Sequence, residues 1–377
     1  MGDAKRHHYV PQFYLRRFSD DGRSIRLLNK ASDRIIEGAP IKGQCAVNNF
    51  HGWHDSVEGA LSGIESASAA SIDRVLKRRE LPVRTSEDYL SLLVFVALQS
   101  GRTLQQAEEN DRYTDYFYKE IMRGHPELAG IDLDGFEVKG RYPVALPLVT
   151  SMQAFHFLET LEPALLLAGD RIGFVTSDNP VVLYNSARAD VWWEGVTGLD
   201  SVGLQVFMPL SRDACLYLYD PTAYTTATNT DSRRACSTDV LKLNALTVLN
   251  STRNIYGKSR HDLNLVQCLR DLTKPLEAYP RMAFVETEAY EEADGKTASI
   301  IANYRLHPPA SFEFRFARPR KGAFLEGIRS DRVASIRRRQ IPNLAGTRQA
   351  KVASSTLDGP RTQLNDNAIE RLARQSA

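Results

Sequence analysis

ALLLAGDRIGFVTSDNPVVLY, residues 164–184, alternates short apolar runs with polar turns. The runs at 164–168, 173–176 and 181–184 are separated by Gly169-Asp170 and by Asp178-Asn179-Pro180. Runs this short, bounded by such residues, predict strands. Downstream, 204–208 and 214–219 predict a further strand pair joined by Pro209 to Asp213, and strands return at 282–286, 299–303 and 312–316. Between them, 238–252 and 261–272 read as helices. Upstream the pattern is mostly helical. Strands are expected only at 24–29 and near Ile35. Asp55 or Ser56 can cap a helix to about Arg79, with Leu61, Ile64, Ile72 and Val75 at helical spacing. Thr85 or Ser86 caps the next, whose apolar run at 90–98 marks it as the most buried helix, continuing past a break near Gly101 toward Met122. A further helix is expected at 150–162. Helices and strands in separate blocks predict an α+β fold, a helical N-terminal half packed on a mainly antiparallel sheet formed by the second half.

The chain has 377 residues, 42% hydrophobic and 25% charged, enough to bury a sizeable core. Its net charge of +2 conceals an asymmetry. Residues 1–314 carry 34 Lys and Arg against 41 Asp and Glu, a balance of −7; residues 315–377 carry 14 against 5, a balance of +9. The expected organisation is therefore a single α+β domain over 1–317, followed by a basic, loosely attached extension over 318–377 that is dispensable for folding. Such an extension either holds nucleic acid through its phosphates or is a solvated tail. The opening MGDAKRHHYVPQ has no apolar segment behind it and no myristoylation pattern, and no apolar run approaches the ~20 residues a spanning helix needs. Cys45, Cys215, Cys236 and Cys268 are scattered without a Cys-x-x-Cys pair, which argues against a disulfide framework. A cytoplasmic protein without membrane contact is expected. The oligomeric state stays open.

Three polar sets could carry chemistry. In HHYVPQFYLRRF, residues 7–18, two adjacent histidines on an extended segment face opposite ways, so one of His7 and His8 reaches a given site. Imidazole suits acid–base work or metal binding near neutral pH; an aromatic N-terminal clip would need the same residues. Glu58 and Glu65 lie seven residues apart, on nearly one helix face. Glu65 needs a partner if buried, and Arg102 or a histidine is the candidate. Gln99, Ser100 and Arg102 follow an otherwise apolar run. Ser177-Asp178-Asn179-Pro180 makes a hydrogen-bonded turn at a strand end, a place where catalytic side chains are displayed. His51-Gly52-Trp53-His54 has a weak metal-ligand spacing. No P-loop, dinucleotide fingerprint or nucleophile elbow occurs.

HHYVPQFYLRRFS (7–19), IES (64–66), ALQSGRT (97–103), FVTSDNPVVLYN (174–185), VFMPLSRDACLYLYD (206–220), LN-x-L (243–246) and IYG (255–257) occur in that order. The set resembles domain-of-unknown-function family 4238, a prokaryote-rich family, over residues 7–257. His7, His8, Pro11, Tyr14, Glu65, Gln99, Arg102, Ser177, Asp178, Asn179, Pro180, Pro209 and Asn244 fall at its motif positions. The resemblance implies that these polar residues converge on one pocket. The resulting expectation is a hydrolase of a phosphodiester in nucleic acid or a nucleotide. His7, His8, Glu65, Arg102 and Asp178 would be catalytic, with Arg102 clamping phosphate. Gln12, Tyr14, Gln99, Ser177, Asn179 and Asn244 would bind substrate. No metal ligands are assigned, though Mg or Mn suits such chemistry. The alternatives are a small-ligand-binding or sensor protein using the same pocket, and a purely structural polar core.

Overall fold

The computed structural model describes residues 6–50, 55–128, 130–153, 155–191, 195–226, 232–286, 290–291, 297–298, 301–307, 309–323, 330–340 and 364–375. Five strands form the central sheet: β5 (Glu162–Leu167), β7 (Val182–Tyr184), β8 (Gln205–Ser211), β9 (Ala214–Tyr219) and β11 (Ser232–Arg234). Their order is β11-β5-β9-β8-β7, antiparallel except for β11 beside β5. Alternate residues of a strand point to opposite faces, and both faces here are apolar and covered. Leu165, Val206, Met208, Leu216 and Leu218 join the N-terminal helices α2 (Asp55–Arg78) and α3 (Glu87–Gly101) in one core. Leu166, Phe207, Cys215 and Tyr217 join α7 (Ser237–Asn250) and α8 (Arg260–Thr273) in the other. The sheet is thus the middle layer of three. The fold is α+β, as the separate blocks of elements predict.

A second sheet has the order β3-β2-β12-β6, built from β2 (Ser24–Asn29), β3 (Arg34–Pro40), β6 (Thr176–Ser177) and β12 (Asn254–Gly257). It ties the N-terminal hairpin to the second half of the chain. The helix expected after Gly101 is separate from α3: α4 (Leu104–Arg123) starts afresh with Thr103 as its N-cap, and α3 carries its own cap at Ser86. At the junction, a Cβ on Gly101 would lie 2.4 Å from the Pro147 carbonyl oxygen, so only glycine lets α5 (Ala145–Gln153) approach this closely. Among the described residues no helix is long and apolar enough to cross a membrane.

Several expectations need correction. The most buried helix is α7, whose residues from Asp239 to Leu249 are all buried between sheet and α8, whereas α3 keeps one face open. The run at 173–176 is a strand only from Thr176, because side chains take the place of a ladder partner. Asn244 accepts from the Val175 amide and donates to the Gly173 carbonyl, and Asp262 accepts from the Gly173 amide. In the run at 312–316 the three phenylalanines are buried and Glu313 and Arg315 exposed, but it is not a strand; the Phe312 amide donates to the Tyr184 hydroxyl, and Phe314 and Phe316 stack in the core. The helix expected at 150–162 begins earlier and ends at α6 (Phe155–Leu158), where Glu162 opens β5. The strand expected at 299–303 occupies Ile301–Arg305, and residues 299–300 lie outside the described residues.

Among the described residues the C-terminal extension is held to the body at several places. Ala317–Pro319 pairs with β10 (Tyr224–Thr226), α9 (Asp331–Gln340) inserts Val333 against Phe157, and α10 (Asp366–Gln375) packs on α7. In α10, Ile369 is fully buried and the Asp366 carboxylate forms an ion pair with Lys242, Oδ1 to Nζ 2.8 Å. A boundary at 317/318 would cut through these contacts. The physical reason is the amphipathic spacing of Ile369, Leu372 and Ala373, which covers apolar surface that α7 and α8 otherwise expose. Ile369→Ala should therefore cost about 2–5 kcal/mol in urea denaturation. A variant as stable as the parent would mean that α10 is not docked.

Candidate functional site

β1 (Arg6–His8) pairs with β4 (Ala46–Asn48), placing His7 opposite Val47 and His8 opposite Ala46. The two rings point apart, as adjacent residues on a strand must. His7 is buried, its Nδ1 3.7 Å from the Glu58 carboxylate; His8 is half-buried and lines a cleft. Pro11 then directs the chain into α1 (Gln12–Leu15) and a following tight turn. This short helix turns Tyr14 and Leu15 inward and leaves Gln12 and Arg16 together outside, joined by Arg16 Nη2 to Gln12 Oε1 at 3.2 Å. Tyr14 is fully buried, its hydroxyl donating to the Pro209 carbonyl at 2.5 Å beside Thr176 Oγ1.

The tautomer of His8 follows from its partners. Nδ1 lies 3.0 Å from the Gln44 carbonyl oxygen, which can only accept, so Nδ1 carries the proton. Nε2 is then an acceptor, and the Gln12 amide donates to it at 3.0 Å. Burial pushes the imidazolium pKa below its ordinary value, with Arg6 and Arg102 adding to that and the Gln44 carbonyl opposing it. His8 is a neutral base with its lone pair on the cleft side.

Arg102 and Glu65 meet. Arg102 Nη2 donates to Glu65 Oε1 at 2.6 Å and to the His8 carbonyl at 3.0 Å, while Nε reaches the Tyr9 carbonyl at 3.4 Å. Gln99 Nε2 also donates to the Tyr9 carbonyl, at 2.8 Å. Arg102 is fully buried and holds main chain, so the expected clamp on substrate phosphate is corrected: its guanidinium faces the protein. Gln99 and Tyr14 are buried fasteners in the same way and not substrate contacts.

Ser177, Asp178 and Asn179 also turn inward. The Asp178 carboxylate accepts from the amides of Thr252, Arg253 and Asn254, at 2.9, 2.6 and 3.1 Å. Burial drives its pKa up, opposed by those three amides. Asn179 Nδ2 donates to Gln105 Oε1 and to the Asn250 carbonyl, and Ser177 Oγ closes the turn onto Asn179. These residues splice the end of α7 into β12. With Asn244 they form a brace, and neither they nor Asp178 line the cleft at His8. Among the described residues the polar set is divided between this brace and the cleft at His8.

What does converge is a polar cleft of about 330 Å³ between β1–α1 and α2. His8, Gln12 and Arg16 stand on one side with Arg6, and Glu58, Ser62 and Glu65 on the other. Glu65 retains 29% exposure there despite its bond to Arg102. Arg6, Arg16 and Ser62 escaped the sequence reading. The i,i+4 spacing of Gln12 and Arg16 was a usable signal, because both fall on one face of a turn of helix; nothing marked Arg6 or Ser62. Among the described residues no group of three His, Cys, Asp or Glu is placed to hold a metal ion, and His51 and His54 lie outside them.

The family described as "Protein of unknown function (DUF4238)" matches residues 6–261, about two thirds of the chain and all the elements that build the cleft. The chain belongs to this family. No curated protein and no solved structure matches it. The family span ends at the start of α8, so α9 and α10 are additions to the DUF4238 region.

Arg102→Met should destabilise the protein by about 3–5 kcal/mol, because it leaves the buried His8 carbonyl without its donor and a partly buried Glu65 without its counter-charge. Glu65→Gln should cost less, since Glu65 is partly solvated. The double mutant, measured by urea denaturation, should show a coupling of about 0.5–3 kcal/mol. Strict additivity would contradict the pairing.

Proposed function

We propose that the protein is a phosphodiester hydrolase, acting on nucleic acid or a nucleotide, with His8 as general base. The observation that carries this reading is the fixed tautomer of His8, Nδ1–H bound to the Gln44 carbonyl and Nε2 an acceptor on the cleft. A substrate displaces the Gln12 amide from Nε2, which then takes a proton from the attacking water as the new P–O bond forms. The ester P–O bond breaks and the leaving oxygen takes a proton from solvent. Arg6 and Arg16 offset the charge on the phosphate oxygens. The basic C-terminal region adds affinity for a polyanion.

The test is turnover of DNA, RNA and nucleotides, with and without Mg²⁺ or Mn²⁺. His8→Gln should lower the rate by about 10²–10⁴-fold without changing the melting temperature. The base form of His8 exists above its pKa, which burial places below 6.5. Activity should hold as pH falls to 6.5 and be lost only further down, through the folded-state pKa. An acid limb at or above 6.5 would remove His8 as the base, and failure to turn over any of these substrates would leave a binding protein.

A further inference from the structure

The cleft sorts its hydrogen-bonding groups by wall. Glu58 and Glu65 offer only acceptors when ionised, and His8 Nε2 is an acceptor by the argument above. Arg6 and Arg16 offer only donors, and their charge asks for an anion. A bare phosphodiester matches the arginines but would be repelled by two carboxylates, a like-charge contact that works against binding. The repulsion is offset if the ligand places hydroxyl donors against α2 while its phosphate faces α1. Ribose does this. Its hydroxyls sit beside the phosphate in a ribonucleotide, and a carboxylate accepting from ribose hydroxyls is a common way of holding one. The volume of about 330 Å³ is of the size that holds a small ligand.

We infer that the acidic wall of the cleft, Glu58 with Ser62 and Glu65, reads the ribose hydroxyls of its ligand, so that the protein selects ribonucleotides over deoxyribonucleotides. This rests on the reading of the cleft as a phosphodiester site and narrows it. The selectivity depends on donors in the ligand and not on its base. A free ribonucleotide and an RNA chain present the same chemistry to this wall.

The test is calorimetric binding to the full-length protein at neutral pH. The ligands are a ribotetranucleotide, its deoxy counterpart, adenosine and deoxyadenosine 5′-monophosphates, and phosphoethanolamine. The ribose form of a pair should bind at least about tenfold tighter, a difference of about 1.4 kcal/mol. Whether the tetranucleotide or the monophosphate shows the larger ratio identifies chain or free nucleotide as the source. In Glu58→Gln and Ser62→Ala the ratio should collapse toward one. Equal affinity for ribose and deoxyribose forms overturns the inference while the phosphodiester reading stands. Preference for phosphoethanolamine also overturns it, since the wall would then read an ammonium group. Selective ribose binding without turnover supports the inference and removes hydrolysis instead. If nothing binds, both fall.

Discussion

The buried guanidinium of Arg102 fixes where His8 stands. The His8 and Tyr9 carbonyls point into protein, where an unmet acceptor costs about 1–3 kcal/mol. Arg102 and Gln99 meet both of them from the end of α3. A cation in so dry a place needs a counter-charge, and Glu65 on α2 supplies it. Three segments far apart in sequence are pinned at one point by donors with a rigid geometry. Once the backbone at residues 8–9 is set, His8 Nδ1 meets the Gln44 carbonyl and Nε2 faces the cleft. The charge pair is therefore a positioning device. The chemistry proposed for the cleft belongs to groups that remain in contact with solvent.

A second brace, at the other end of the central sheet's connections, explains why so many polar residues are buried. α7 ends inside the protein, and its last carbonyls must be met. Lys30 Nζ donates to the Val248 and Ser251 carbonyls, Arg281 to those of Leu249 and Ser251, and Asn179 to that of Asn250. Cations suit the negative end of a helix dipole. Asp178 then accepts the three amides that follow. The DNP turn, which reads as a display loop, is a junction that keeps α7, β6 and β12 in register.

The strands at 164–167, 182–184, 205–211 and 214–219 were legible because their apolar runs are short and bounded by turn residues. The central helices were legible from their spacing and caps. The run at 173–175 was not, since side-chain amides and a carboxylate replace its ladder, and periodicity carries no trace of that. Composition made the C-terminal region look loose, although the ten residues of α10 hold a strong apolar stripe. The pairing of Glu65 with Arg102 could be inferred from burial alone. The direction in which Arg102, Asp178, Asn179 and Asn244 point could not: a polar residue that serves buried backbone and one that serves a ligand look the same in a string of letters. Tertiary context separates them, and it leaves His8, Gln12 and Glu65 on the cleft.

The most direct measurement of this account is the ¹⁵N spectrum of the His8 imidazole across pH, in the wild-type protein and in Arg102→Met. The wild type should show a proton on Nδ1, a bare Nε2 and a pKa below 6.5. Loss of Arg102 should raise that pKa and mix the tautomers, because a neighbouring positive charge and the hold on the His8 carbonyl are both removed. A wild-type ring protonated on Nε2, or one that titrates at or above 6.5, would contradict the claim that Arg102 positions a neutral base on the cleft.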